Sequence, residues 1–183
     1  GMNGIDGLTP EQHHAVDGAD ILVGGKRHLE MIPDTGCDRL QWGAPFVESL
    51  DKVLTFKGRK VTVLATGDPM WFGVGATLSH KVGENEVKVL PAPSAFSLAA
   101  ARMAWPIADI DCLSTHGRPT EALISFLTPE AKLLILTANG DAPKEIANLL
   151  VAQGFAESQF TVLGNLGSEG EIRIESAAAE WGS

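Results

Sequence analysis

Apolar positions along the chain follow two periods in turn. Short aliphatic and β-branched runs alternate with stretches whose apolar residues lie three or four apart, which predicts strands alternating with amphipathic helices. Thr9-Pro10-Glu11-Gln12 predicts a helix start: Thr9 is the N-cap, Pro10 occupies the first turn and Gln12 stands three residues past the cap. That helix ends near Gly18, and Ile21-Leu22-Val23 reads as a short buried strand. A Gly24-Gly25 turn leads into a helical turn over Lys26 to Met31, stopped by Pro33.

Between Pro45 and Phe56, Phe46, Leu50, Val53 and Leu54 stand at helical spacing. Lys60 to Thr66 predicts a strand buried on both faces, followed by a loop from Gly67 to Gly75 and a helix from Ala76 to Val82. The alternation continues with a strand at Glu86 to Leu90, a Pro91-Ala92-Pro93 loop and a helix at Ser94 to Ala104. A strand at Ile110 to Leu113 precedes a helix at Pro119 to Leu127, and one at Lys132 to Thr137 precedes a helix at Pro143 to Gln153. A last strand, Gln159 to Leu163, leads into a polar tail. The order predicts an α/β fold with a mainly parallel sheet. Trp105-Pro106 is the expected boundary between an N-terminal lobe, 1–105, and a C-terminal lobe, 106–183, because the proline disfavours helix continuation.

Composition narrows the function classes. With 44% hydrophobic and 20% charged residues, the 183-residue chain has the balance of a soluble globular protein. Its formal net charge of −9 argues against a nucleic-acid partner, which calls for a basic stripe. No apolar run reaches the ~20 residues that span a bilayer, so no membrane partner is expected and the cytoplasm is the expected location. Gly1-Met2 reads as the scar of a cleaved tag, so Gly1 is set aside in reading the fold. Cys37 and Cys112 have no CxxC partner and read as free thiols, and no metal site is expected.

In open parallel sheets, ligands bind beyond the carboxyl ends of the strands, so the loops that follow strands carry the candidate chemistry. In the Gly67 to Gly75 loop, Gly67 allows close backbone approach and Asp68 offers a carboxylate for a ribose hydroxyl or an amino group. Met70, Trp71 and Phe72 make an apolar wall suited to a flat or sulfur-bearing ligand. The same residues also read as a capped helix start with its aromatics in the core. Ser94 is an N-cap on one reading. On the other, the small residues after it let a ligand carboxylate meet the free N–H groups of the helix. In Ser114-Thr115-His116-Gly117-Arg118-Pro119, Arg118 can clamp a carboxylate and His116 can donate a hydrogen bond or relay a proton. Lys26-Arg27-His28 forms a second cationic cluster. Each cluster equally reads as solvated charge. No nucleophile elbow, phosphate loop or GxGxxG after a strand is present, which speaks against hydrolysis and phosphoryl transfer.

Three stretches, LATGDPMWFGVGATL (Leu64 to Leu78), VLPAPSAFSLAAARMAWP (Val89 to Pro106) and STHGRP (Ser114 to Pro119), resemble the tetrapyrrole methylases. ILVGGKRHLEMIP and TVLGNLGSEGEIRI fit the same family, so the resemblance covers nearly the whole chain. Within the family it points to the branch that methylates carbon 5 of a precorrin. It implies two α/β lobes with mainly parallel sheets, S-adenosyl-L-methionine in the cleft between them, and a homodimer. Gly67, Asp68, Met70 and Trp71 would line the cofactor site, with Ser94 and Ala95 from a second loop and Thr137 or Ala138 from the other lobe. The substrate carries many carboxylates, which Lys26, Arg27, Arg102 and Arg118 would grip, and His116 is the candidate catalytic residue. The resemblance also implies a first strand, of which only Asn3 to Gly7 remains, and a further strand beyond Trp181-Gly182-Ser183, so trimmed ends are expected. A C15-methylating, decarboxylating partner, fused or separate, is expected alongside. The alternatives are a methylase acting at another position of a tetrapyrrole or on a modified histidine, and a trimmed module that binds the cofactor without turnover.

Overall fold

The computed structural model describes residues 4–181, so Gly1-Met2, Asn3 and Gly182-Ser183 lie outside the described residues. The chain divides into two compact units, the first ending at Ser94 and the second beginning at Ala95.

The first unit opens with a 3-10 turn, Gly4–Gly7, and helix α1, Pro10–Asp17. The Thr9 hydroxyl accepts from the N–H of Gln12, and the Gln12 side chain accepts from the N–H of Thr9, so the capping box is formed as its sequence predicts. Strand β1, Ile21–Gly24, is followed by α2, Lys26–Met31, and strand β2, Asp38–Gln41. Helix α3, Phe46–Leu54, strand β3, Val61–Val63, and helix α4, Val74–Val82, complete the regular elements. The sheet is parallel in the order β2-β1-β3, which puts β1 in the centre. Ile21, Leu22 and Val23 are 1%, 0% and 0% exposed. Leu22 packs on one face with Val16, Leu29 and Ile32, whereas Ile21 and Val23 pack on the other with Leu50, Val53 and Leu78. Helices on both faces are what a parallel sheet requires.

Two features of this unit differ from the sequence reading. Strand β2 is unpredicted: Asp38, Arg39 and Gln41 are exposed and only Leu40 is half-buried, so there is no apolar run to mark it. The strand expected at Glu86 to Leu90 is absent, and a 3-10 turn, Glu84–Glu86, precedes extended chain that pairs with no strand among the described residues. Pro91 and Pro93, just beyond it, have no ladder donor to continue such a strand. The segment is held instead to α1, by Lys88–Glu11 at 2.7 Å and by the Gln12 amide donating to the Pro91 carbonyl.

The second unit begins with helix α5, Ala95–Met103, then strand β4, Asp111–Ser114, and a 3-10 segment, Thr120–Phe126, where a regular helix is expected. Strand β5, Leu133–Leu136, helix α6, Ala142–Ala152, strands β6, Gln159–Gly164, and β7, Ile172–Ala177, and a short α7, Ala178–Trp181, follow. The stretch read as a polar tail is therefore the second arm of an antiparallel hairpin, pairing Phe160 with Ser176 and Val162 with Ile174. β4 and β5 are parallel. Six consecutive residues of the β5 region, Lys132 to Thr137, and six of the β6 region, Ser158 to Leu163, border a cavity of about 700 Å³. Since both faces of each strand would otherwise point elsewhere, consecutive lining means that strand edges bound this cavity. Among the described residues β5 pairs only with β4, and β6 only with β7.

The unit boundary falls eleven residues before Trp105-Pro106 because α5 belongs to the second core. Phe96, Ala99 and Ala100 pack with Leu134, and Trp105 packs against the same cluster. The hairpin is fastened to α5 by charge. The Arg102 guanidinium donates to both Glu171 oxygens, at 2.7 and 2.8 Å, and Glu171 also accepts from the N–H of Gly167 at 2.6 Å. Those bonds hold the Glu171 carboxyl at about 2, below its ordinary 4.5, the Arg102 hydrogen bond being the largest cause. Because the folded value is the depressed one, the pair's stabilisation is complete above pH 4.5 and disappears as pH falls towards 2. Urea unfolding of Arg102→Met against wild type therefore shows a gap near neutrality that narrows through this acid window. A gap independent of pH would contradict the assignment.

Candidate functional site

Carboxyl ends of parallel strands are the natural place to look in each unit. In the first unit three such ends adjoin. β1 runs into the Gly24-Gly25 turn and the first turn of α2, β2 runs into Trp42, and β3 runs into the loop up to Gly75. Gly24 is the point of closest approach. A Cβ there would stand 3.2 Å from the Leu64 Cβ and 3.3 Å from the Cβ of His28, so a bare backbone is what lets these segments meet.

The Gly67 to Gly75 loop is locked by its own backbone. Gly67 has φ +64°, Asp68 Oδ1 accepts from the N–H of Met70 at 2.8 Å, and the Pro69 carbonyl accepts from the N–H of Gly75 at 2.9 Å. A Cβ at Gly73 or Gly75 would lie 2.5 or 2.7 Å from the Pro69 carbonyl oxygen, so both positions require glycine. Phe72 takes φ +52°, a left-handed conformation that is unfavourable for a bulky residue. The outcome is an exposed apolar wall: Met70, Trp71 and Phe72 are 46%, 37% and 43% exposed. Of the two readings the sequence leaves open, the aromatics are not tucked into the core.

Lys26 and Arg27 stand exposed in the first turn of α2, with Lys26 3.8 Å from Glu30 one helical turn on. Their neighbour His28 is no third cation. Burial, then the charge of Arg27, push its imidazole below the ordinary value and favour the neutral ring. Its Nε2 lies 2.7 Å from the Thr66 hydroxyl, a contact that no spacing along the chain foretells.

In the second unit, β4 and β5 end side by side. After β4, the Thr115 carbonyl accepts from the N–H of Arg118, and Gly117 takes φ +68°, a tight turn that carries His116 and Arg118 exposed. Thr115 is buried and its N–H donates to the Leu136 carbonyl, tying that turn to the end of β5. After β5, Thr137 is half-buried and Ala138 exposed, and the Asn139 side chain accepts from the N–H groups of Asp141 and Ala142 at the head of α6. Ala95 and Thr137 both line the 700 Å³ cavity, and Ser94 is 4% exposed. The structure thus brings His116 and Arg118 to the same sheet end as Thr137 and Ala138. It does not bring Arg102 there, whose fork is already occupied by Glu171.

The profile of the Tetrapyrrole (Corrin/Porphyrin) Methylases matches residues 1–181, and the chain belongs to that family. It is 41% identical over 183 residues to precorrin-6Y C(5,15)-methyltransferase [decarboxylating] of Sinorhizobium sp, covering 99% of this chain and 44% of that protein. It is 34% identical to cobalt-precorrin-7 C(5)-methyltransferase of Salmonella typhimurium, covering 90% of this chain and 81% of that protein. Among solved structures, uroporphyrin-III C-methyl transferase of Thermus thermophilus, complexed with S-adenosyl homocysteine, aligns with a TM-score of 0.73 at 20% identity, over 97% of this chain and 84% of that one. The chain therefore spans less than half the length of the first of these relatives. No helix among the described residues is long and apolar enough to cross a membrane.

The locked loop yields a stability prediction. Gly75→Ala forces the Pro69 carbonyl aside and lowers unfolding stability by about 1–3 kcal/mol, as overpacking does. Urea denaturation with an unchanged midpoint would show that the loop yields freely.

Proposed function

We propose that the chain is an S-adenosyl-L-methionine-dependent methyltransferase that methylates carbon 5 of a precorrin, precorrin-7 or its cobalt form, in cobalamin biosynthesis. What supports this most is the 34% identity to a cobalt-precorrin-7 C(5)-methyltransferase over 81% of that protein's length, since that relative is named for the C5 step alone.

The residues present fit a cofactor of this chemistry. S-adenosyl-L-methionine supplies a methyl group on a sulfonium whose departure leaves a neutral thioether. Asp68 commits Oδ1 to the Met70 N–H, so Oδ2 is the oxygen that would meet a ribose hydroxyl or an amino group. Gly67, Met70 and Trp71 border it with open backbone and an exposed apolar wall that displaces water. Ser94, Ala95, Thr137 and Ala138 complete the proposed contacts. Holding the ring carbon in line with the methyl group is the protein's main contribution, and such orientation is worth about 7–11 kcal/mol of a barrier. Lys26, Arg27 and Arg118 are the proposed grips for substrate carboxylates. Arg102 is a weaker choice, since a substrate carboxylate would have to displace Glu171. His116, exposed on its turn, is the proposed group for handling a proton. A homodimer, the cytoplasm and a C15-methylating partner belong to the same proposal.

Incubation with the cofactor and metal-free or cobalt-loaded precorrin-7, read by mass spectrometry and NMR, is expected to add one methyl group at C5. Methylation at another carbon would overturn the C5 assignment, and cofactor binding without turnover would leave a binding module. Arg118→Ala is expected to weaken substrate binding about tenfold, the effect of one charge-assisted hydrogen bond, with cofactor affinity unchanged by calorimetry. Loss of cofactor affinity with substrate affinity intact would refute that role.

A further inference from the structure

The three chain segments that meet at Gly24 leave one polar side chain in an unusual position. His28, on the first turn of α2, lies against the segment that follows β3, and its Nε2 is 2.7 Å from the Thr66 hydroxyl. Its Nδ1 is buried and has no hydrogen-bond partner among the described residues. Burying a ring nitrogen unpaired is unfavourable, and an aliphatic side chain of similar size would avoid that cost. The compensating contact of the imidazole is therefore the one at Nε2. An unshared lone pair is better tolerated in the interior than an orphaned N–H, which puts the ring proton on Nε2, donating to the Thr66 oxygen. The neutral ring that this arrangement needs is the form that burial and Arg27 favour.

Thr66 is the last residue before the locked loop. Its backbone leads directly into Gly67 at φ +64° and the Asp68 turn. We propose that His28 is a positioning residue for this loop: through the Thr66 hydroxyl it fixes where the chain beyond β3 enters the loop, and so where Gly67 and Asp68 stand. The inference rests on the function proposed above for its effect on cofactor binding, but not for its effect on the loop itself. The side chain acts on Thr66 and is not assigned any contact with a ligand.

The two amide substitutions separate this role from simple space-filling. A glutamine amide nitrogen reaches the place of Nε2, whereas that of asparagine reaches only the place of Nδ1. Wild type, His28→Gln, His28→Asn and Thr66→Val are compared by calorimetry with S-adenosylhomocysteine, and by the amide resonances of Gly67 and Asp68 without ligand. Urea midpoints are recorded for all four. His28→Asn and Thr66→Val are expected to weaken binding about tenfold and to shift both resonances. The combined His28→Asn, Thr66→Val protein is expected to be no weaker than either single variant, and His28→Gln to stay within about threefold of wild type with resonances in place. A glutamine variant as impaired as the asparagine one, or resonances that move in neither, would overturn the positioning role. Unmoved affinity with moved resonances would overturn the link to binding. Absence of binding by wild type, with the resonances behaving as expected, would overturn the cofactor reading and leave the positioning role standing.

Discussion

Everything at the first sheet end depends on the double burial of β1. Ile21, Leu22 and Val23 have almost no contact with water, because α1 and α2 cover one face of the strand and α3 and α4 the other. A strand so enclosed cannot slip by one residue without turning its whole apolar set to the wrong face. Its register with β2 and β3 is therefore fixed, and with it the height at which Gly24, Trp42 and Leu64 emerge. The loops that carry Lys26, Arg27, Asp68 and Trp71 inherit their positions from that packing.

The second unit solves the same problem with weaker means. β4 and β5 are covered by Phe96, Ala99 and Ala100 of α5, but the hairpin β6-β7 pairs only with itself among the described residues. Its attachment to α5 combines Leu163 and Leu166, packed against the Phe96 cluster, with the Arg102–Glu171 fork and with Arg173, which donates to the Arg102 carbonyl. Arg102, which the sequence offers to the substrate, also ties α5 to the hairpin.

The legibility of the sequence follows burial. β1 was readable as a short uninterrupted apolar run, α3, α5 and α6 because their apolar residues recur with the helical period, and the α1 cap because Thr9, Pro10 and Gln12 each have a local mechanism. β2 was not, since an edge strand with three exposed positions is defined by its neighbour and not by its own residues. Val87 and Val89 alternate as in a strand, yet the extended chain there pairs with no strand among the described residues. Ile172 and Ile174 alternate correctly for β7, yet both are 49% exposed among charged neighbours, so the stretch passed for a tail. At the site, the motifs located the loops. Their internal locks, the Pro69 carbonyl against Gly73 and Gly75, and His28 against Thr66, come from contacts that no linear spacing encodes.

The central claim is that the loops beyond β3 and β5, together with Ser94 and Ala95 at the head of α5, hold the cofactor. An amide-resolved titration of isotope-labelled protein with S-adenosylhomocysteine tests it most directly. The account predicts the largest shifts at Gly67 to Trp71, at Ser94 and Ala95, and at Thr137 and Ala138. Shifts concentrated at the opposite strand ends, around Asp20, Lys60, Asp111 and Lys132, would contradict it.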